Sequence, residues 1–135
     1  MRLFAPALTM ALAGILAAAD CGGGGEDGPS ETPTLTTLSA DIFQPRCGNA
    51  GCHSSDNPAA GLDLITDPHA SLVGVDSISD PALKLVGAGD PNNSVLLLIL
   101  EGPVGASRQM PPGVTLPAED VDAIRAWITA GAAND

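Results

Sequence analysis

Two stretches near the end of the chain carry the clearest hydrophobic patterns. Residues 94–101 are apolar almost all round, as expected for a helix buried against a core. A buried strand would show a similar run, so periodicity alone leaves that alternative open. Residues 117–130 have acidic side chains in the first turn and Gly131 after the end, which predicts a helix. Its apolar residues share one face that should pack inward: Val121, Ile124, Trp127 and Ile128.

Three Asp-Pro pairs and one threonine mark further candidate helix starts. Aspartate can cap the free amides of a first turn, and proline suits the first helical position because its φ is already fixed. We therefore predict helix starts at Asp67-Pro68, Asp80-Pro81 and Asp90-Pro91. Thr37 is expected to cap a short helix that ends before Pro45. The predicted organisation is helical, with long loops and no internal repeat.

The N-terminal segment is typical of an export signal. Arg2 precedes a mostly apolar stretch, residues 4–19, which is shorter than the about 20 apolar residues that a membrane span needs. Cys21 then resembles the lipidated first residue of a bacterial lipoprotein, although Asp20 replaces the small residue usual before it. Cleavage after Ala19 would instead release a soluble periplasmic protein. In both cases the chain leaves the cytoplasm.

These features predict three regions. Residues 1–20 form a signal peptide of the lipoprotein type, with lipidation at Cys21, and residues 21–36 form a flexible Gly/Pro/acidic linker. Residues 37–135 are left as one small folded domain. The predicted location is periplasmic or at the outer surface, anchored to a membrane by lipid.

The composition indicates which classes of partner the protein can bind and how so small a domain could be stabilised. Only 2% of the residues are aromatic, and small scaffolds with few large side chains usually need a staple such as a disulfide, a metal or a prosthetic group. The formal net charge is −11, which argues against nucleic acid because phosphate binding needs clustered Lys and Arg. An acidic surface favours partners with a basic docking surface, but it could equally serve only to keep an exported protein soluble.

The strongest chemical motif is Cys47-Gly48-Asn49-Ala50-Gly51-Cys52-His53. Two thiols and an imidazole at this spacing are typical of covalent haem attachment, in which both cysteines form thioethers with the haem vinyl groups. The histidine that follows the second cysteine then binds iron as the proximal ligand. Four residues separate the cysteines here, where two are usual, and we expect the glycines and Asn49 to tolerate the positive φ of a widened loop.

Two other interpretations of the motif remain open at this point. In an exported protein, Cys47 and Cys52 could close a short disulfide loop, leaving His53 as an ordinary exposed residue. The protein would then be a haem-free, anchored surface or interaction lipoprotein. A zinc site would need a fourth ligand, and His69 is the only other histidine.

The second candidate ligand is Met110, in the segment Arg108-Gln109-Met110-Pro111-Pro112-Gly113. It is the only methionine outside the predicted leader, and the two prolines should stiffen the loop that presents it. A lone methionine more often fills a gap in the core. A thioether on a rigid loop nevertheless suits a distal haem ligand, and a His/Met pair raises the reduction potential. His69 is a possible substitute ligand, although an exposed residue of a first helical turn is the simpler interpretation.

Together these segments resemble short c-type cytochrome domains of exported bacterial proteins, over about residues 38–133. The departure is the wide spacing of the cysteines. The segments that carry the resemblance are Ile42-Phe43-Gln44-Pro45-Arg46-Cys47, Cys52-His53-Ser54, Gly61-Leu62-Asp63-Leu64, Gly89-Asp90-Pro91, Met110-Pro111-Pro112-Gly113 and Ile124-Arg125-Ala126-Trp127-Ile128.

The resemblance implies a small all-α, cytochrome c-like fold with one haem c attached to Cys47 and Cys52. It implies that His53 and Met110 bind the iron and that the protein transfers single electrons to and from redox partner proteins. The resemblance does not indicate an enzymatic activity, so we expect no catalytic residues.

Overall fold

The computed structural model describes residues 31–135, and helices are the main regular elements of this part. The rest consists of loops tied by isolated β-bridges, so the described part is mostly helical, in agreement with the predicted all-α class. In chain order the elements are α1 (Leu35–Leu38), a π-helix (Ser39–Cys47), a 3₁₀ turn (Ala59–Gly61), α2 (Pro68–Leu72), a second 3₁₀ turn (Pro91–Asn93), α3 (Val95–Glu101) and α4 (Ala118–Thr129).

The predicted signal peptide, the lipidation site Cys21 and most of the predicted linker lie outside the described residues. α1 begins at Leu35, two residues inside the segment predicted as linker. Within residues 31–135, no helix combines the length and the hydrophobicity that crossing a membrane would require.

The first helical segment starts earlier and ends later than predicted. Its cap is Thr34, not Thr37, because the Thr34 hydroxyl accepts the Thr37 amide at 3.2 Å. The helix also does not end before Pro45, since it continues as a π-helix to Cys47. In this wider helix the amide of Gly48 reaches the carbonyl of Phe43, five residues back, at 2.7 Å. That register accommodates a proline, which lacks an amide and disturbs α-helical spacing.

The three Asp-Pro pairs have three different outcomes. Asp67 caps α2 as predicted, with its carboxylate accepting the Ala70 amide at 3.0 Å. Asp90-Pro91 starts only a 3₁₀ turn, and α3 begins after Ser94. Asp80-Pro81 starts no helix, so this prediction was wrong. Its turn ends at once because Lys84 forms bridges with Asp76 and Ser94.

α3 and α4 settle the predictions made from hydrophobic pattern. The apolar run forms a helix rather than a strand, and α4 keeps almost the predicted bounds. α4 packs against both α1 and α3, and its predicted face is turned inward. Its buried side chains, Trp127 among them, belong to the same core as Phe43, the other aromatic residue of the described part. This core includes Phe43, Leu72, Leu97, Ile124, Trp127 and Ile128.

Candidate functional site

The Cys47–His53 loop closes on itself through backbone hydrogen bonds. The Cys52 amide donates to the Asn49 carbonyl at 2.9 Å, and the His53 amide donates to the Cys47 carbonyl at 3.0 Å. The loop leaves directly from the end of the π-helix, whose buried Phe43 fixes the start of the motif in the core. Both cysteines and the histidine are therefore positioned mainly by their own neighbours in sequence.

The two glycines of this loop have different roles, and only Gly51 has the one that was predicted. Only Gly51 adopts a positive φ, at 82°, and it meets the expectation of a permissive turn residue. Gly48 has a negative φ of −83°. A Cβ atom there would lie 2.1 Å from Cδ1 of Ile65, so Gly48 lets the end of the Ile65 side chain pack closely, and it does not provide backbone freedom.

The imidazole of His53 is held by one hydrogen bond to the backbone. Its Nδ1 lies 3.1 Å from the carbonyl oxygen of Leu62. Because a carbonyl can only accept, Nδ1 is the donor, and in the neutral ring the lone pair is therefore on Nε2. A histidine oriented in this way is prepared to bind a metal through Nε2. Sequence reasoning missed this partner, since the pattern did not indicate that Leu62 returns to His53.

The segment that supplies this carbonyl is itself fixed. The Leu64 amide donates to the His53 carbonyl at 3.0 Å, so His53 is held to residues 62–64 at two points. The carboxylate of Asp63 accepts the amides of Ile65 at 2.7 Å and Thr66 at 3.1 Å. The hydrogen bond from Ile65, followed by those from Thr66, lowers the pKa of Asp63, so this turn keeps its charged acceptor to a lower pH than a free aspartate would.

The two thiols of the motif are free and differ in environment. Cys52 is exposed, whereas Cys47 is half-buried against the core. Burial raises the pKa of the Cys47 thiol from 9.0 to about 11, and the charge of the neighbouring Cys52 adds to the rise. Cys47 is therefore an uncharged thiol at neutral pH and a weak nucleophile.

Met110 is positioned by the end of α3, the helix that precedes its loop. Its amide donates to the carbonyl of Ile99 at 2.9 Å, and the side-chain amide of Gln109 donates to the carbonyl of Leu100 at 2.8 Å. Both acceptors belong to the last turn of α3, where helix carbonyls lack partners within the helix. The side chain of Met110 is partly buried and packs against the core. The anchor provided by Gln109 was not expected from the sequence.

A cavity of about 380 Å³ joins the two parts of the site. Its size lies within the roughly 300–1,000 Å³ that ligand and cofactor pockets occupy. Cys47, Cys52, His53 and Met110 all line it, together with Arg46, and most of its remaining wall is aliphatic. The donor set and the apolar wall fit a haem that is attached through two sulfurs. The apolar lining includes Leu62, Leu64, Leu72, Leu85, Val95, Leu96, Ile99 and Leu100.

The structure gives no support to the other ligand sets considered from the sequence. His69 lies in α2 and is not part of the cavity wall. Its Nε2 is 3.1 Å from the carbonyl oxygen of Ala132. It links α2 to the C-terminal segment. Among residues 31–135 no group of three or more His, Cys, Asp or Glu side chains is arranged to hold a metal ion.

Comparisons with known proteins give no independent assignment. No protein-family model, no curated protein and no solved structure matches this chain.

Proposed function

We propose that this protein is an exported mono-haem c-type cytochrome with a small cytochrome c-like fold. The observation that carries the proposal is the shared cavity: two free thiols, an imidazole and a thioether from separate parts of the chain line one mostly apolar space. Covalent haem attachment with His/Met ligation requires these four groups together.

Each residue has a distinct role in the proposal. The thiols of Cys47 and Cys52 would hold the haem through its two vinyl groups. His53 would bind the iron through Nε2, while its Nδ1 donates to Leu62 and keeps the ring oriented. Met110 would supply a sulfur ligand, and the hydrogen bond from its backbone to α3 keeps it in place.

The haem, when bound, supplies a one-electron couple between ferrous and ferric iron. The chain contributes fixed ligands, so little rearrangement accompanies the change of oxidation state. Its mostly aliphatic cavity wall would limit the contact of the haem with water, and the thioether of Met110 would favour a higher reduction potential than a second histidine would. No substrate is transformed in this function.

The partners follow from charge and from the predicted leader. A net charge of −11 favours redox proteins with a basic docking surface, through attraction that acts over a Debye length of roughly 8–10 Å. We propose that a lipid on Cys21 holds the protein to a membrane, facing the compartment in which haem is attached. This placement rests on the sequence alone.

The test is to express the full chain with haem-maturation machinery, then denature it and extract it with acidic acetone. We expect the protein to stay red and to gain the mass of one haem, because thioether bonds survive this treatment. Colourless protein whose mass fits only an intramolecular disulfide would overturn the proposal and favour the anchored, haem-free lipoprotein.

A further inference from the structure

Two serine hydroxyls form a pair in the wall of the same cavity. The Oγ atoms of Ser79 and Ser107 lie 2.7 Å apart, and both residues line the cavity. They come from different loops, 28 residues apart in sequence. A direct hydrogen bond between two serine side chains is thus placed in a space whose wall is otherwise mostly aliphatic.

Both loops hold their serine firmly. The buried hydroxyl of Ser77 accepts the amides of Ser79 at 3.1 Å and Asp80 at 3.3 Å, which fixes the first loop. In the second loop, Val104 and Ser107 exchange two backbone hydrogen bonds of 3.0 and 2.9 Å. Gly105 lies so close that a Cβ atom there would be 2.2 Å from the carbonyl oxygen of Ser79.

One of the two hydroxyl hydrogens is not used in the bond between Ser79 and Ser107. Each serine hydroxyl carries one O–H group, and the bond between the two oxygens uses only one of them. Whichever serine donates within the pair, the other keeps a free donor beside the cavity. A partly buried donor is best satisfied by an acceptor, and a carboxylate is the strongest common one.

The other polar side chains in the cavity wall are less suited to bind a further carboxylate. Cys47, Cys52 and His53 have roles in the proposed attachment, and Arg46 adjoins Cys47 and pairs with Asp120 at 2.8 Å between Nε and Oδ2. Asp76 pairs with the Lys84 ammonium at 2.5 Å and would repel an anion. Ser71 of α2 is a single hydroxyl. The serine pair is therefore the most suitable neutral donor for a negatively charged group.

We infer that Ser79 and Ser107 form a carboxylate subsite that binds a propionate of the haem. The inference rests on the proposed function. Vinyl and propionate groups occupy opposite halves of a haem, so the propionates must point away from Cys47 and Cys52. The exposed Val75 and Ile78 line the cavity near Ser79, so this part of the wall is open to solvent, as a charged group requires.

The test compares haem-loaded full chains: the unchanged protein, the double variant S79A/S107A, and the control S71A, which removes another hydroxyl from the same cavity. The reduction potential is measured as a function of pH. A propionate that accepts hydrogen bonds titrates at lower pH, so we expect the inflection to move up by about one pH unit in the double variant. We expect no shift in S71A.

Each result decides between the two proposals. Absence of attached haem from the unchanged protein would overturn the proposed function and this inference with it. Attached haem with an unmoved inflection in the double variant would overturn the inference alone. If the double variant does not fold, S107D replaces it and S71D is its control, because a fixed negative charge should also raise the inflection. A shift in S107D no larger than that in S71D would contradict the subsite.

Discussion

The two halves of the proposed haem site are built in different ways. The Cys47–His53 loop is closed by hydrogen bonds between near neighbours in sequence, and Ala59 and the segment 62–66 support it from outside. Met110 is held differently, because its own amide and the side chain of Gln109 donate to two carbonyls at the end of α3. One half is thus fixed as a closed loop and the other by attachment to the end of a helix. This contrast predicts that attachment and distal ligation can be separated experimentally.

The largest expected effect is on attachment. Replacing both cysteines (C47A/C52A) should abolish all haem that resists acidic acetone, because no thioether can form. The mass of the denatured protein measures this directly. M110A is the matched variant from the other half of the site and should keep its haem. Haem that stays covalently bound in C47A/C52A would show that the motif is not the attachment site.

The next largest effect is on ligation. M110A should lose the far-red absorption of sulfur-ligated ferric haem and should have a lower reduction potential, within the roughly 0.8 V range over which axial ligands act. Absorption spectra and a redox titration test this prediction. Retention of both the band and the potential would remove Met110 from the site.

A smaller effect concerns the buried thiol in the reduced, haem-free protein. The pKa of Cys47 is about 11 when folded, against 9.0 for the free group. Below pH 9 the folded and the unfolded protein both keep the proton of the Cys47 thiol. The stability that the neutral, buried thiol contributes is then fully present. Between pH 9 and 11 the unfolded state releases the proton first, so the free energy of unfolding should fall by about 2–3 kcal/mol.

Urea unfolding at several pH values measures this decline, and C47A is its control. The variant should lose less stability over the same pH range because it lacks the titrating group. Parallel pH profiles for the two proteins would contradict the assignment of the effect to Cys47.

The smallest effect concerns the anchor of the Met110 loop. Q109A removes the hydrogen bond to Leu100, which is worth about 1 kcal/mol. Imidazole should then displace Met110 at a concentration about fivefold lower. R108A changes the exposed neighbouring residue and should behave like the unchanged protein. Equal imidazole affinity in Q109A and R108A would show that this anchor does not support ligation.

Much of the helical framework could be predicted, with characteristic errors. α4, the helical form of α3 and the cap at Asp67 follow from short-range pattern, so the sequence predicts them well. The helix through Pro45 and the failed start at Asp80-Pro81 were missed. In the first case a π-helical register accommodates the proline, and in the second the bridges of Lys84 end the turn. Propensity is a weak guide where such contacts compete.

The sequence by itself determined which groups are available for chemistry: two thiols beside an imidazole, and one methionine between polar residues and prolines. Only the tertiary structure decided that Met110, 57 residues after His53, lines the same cavity. It also decided that Leu62 orients His53, that Ile65 packs on Gly48 and that Ser79 meets Ser107. The physical reason is how far apart the interacting residues lie along the chain. Bonds between near neighbours follow from local residue types, whereas contacts between distant segments exist only after the core has packed.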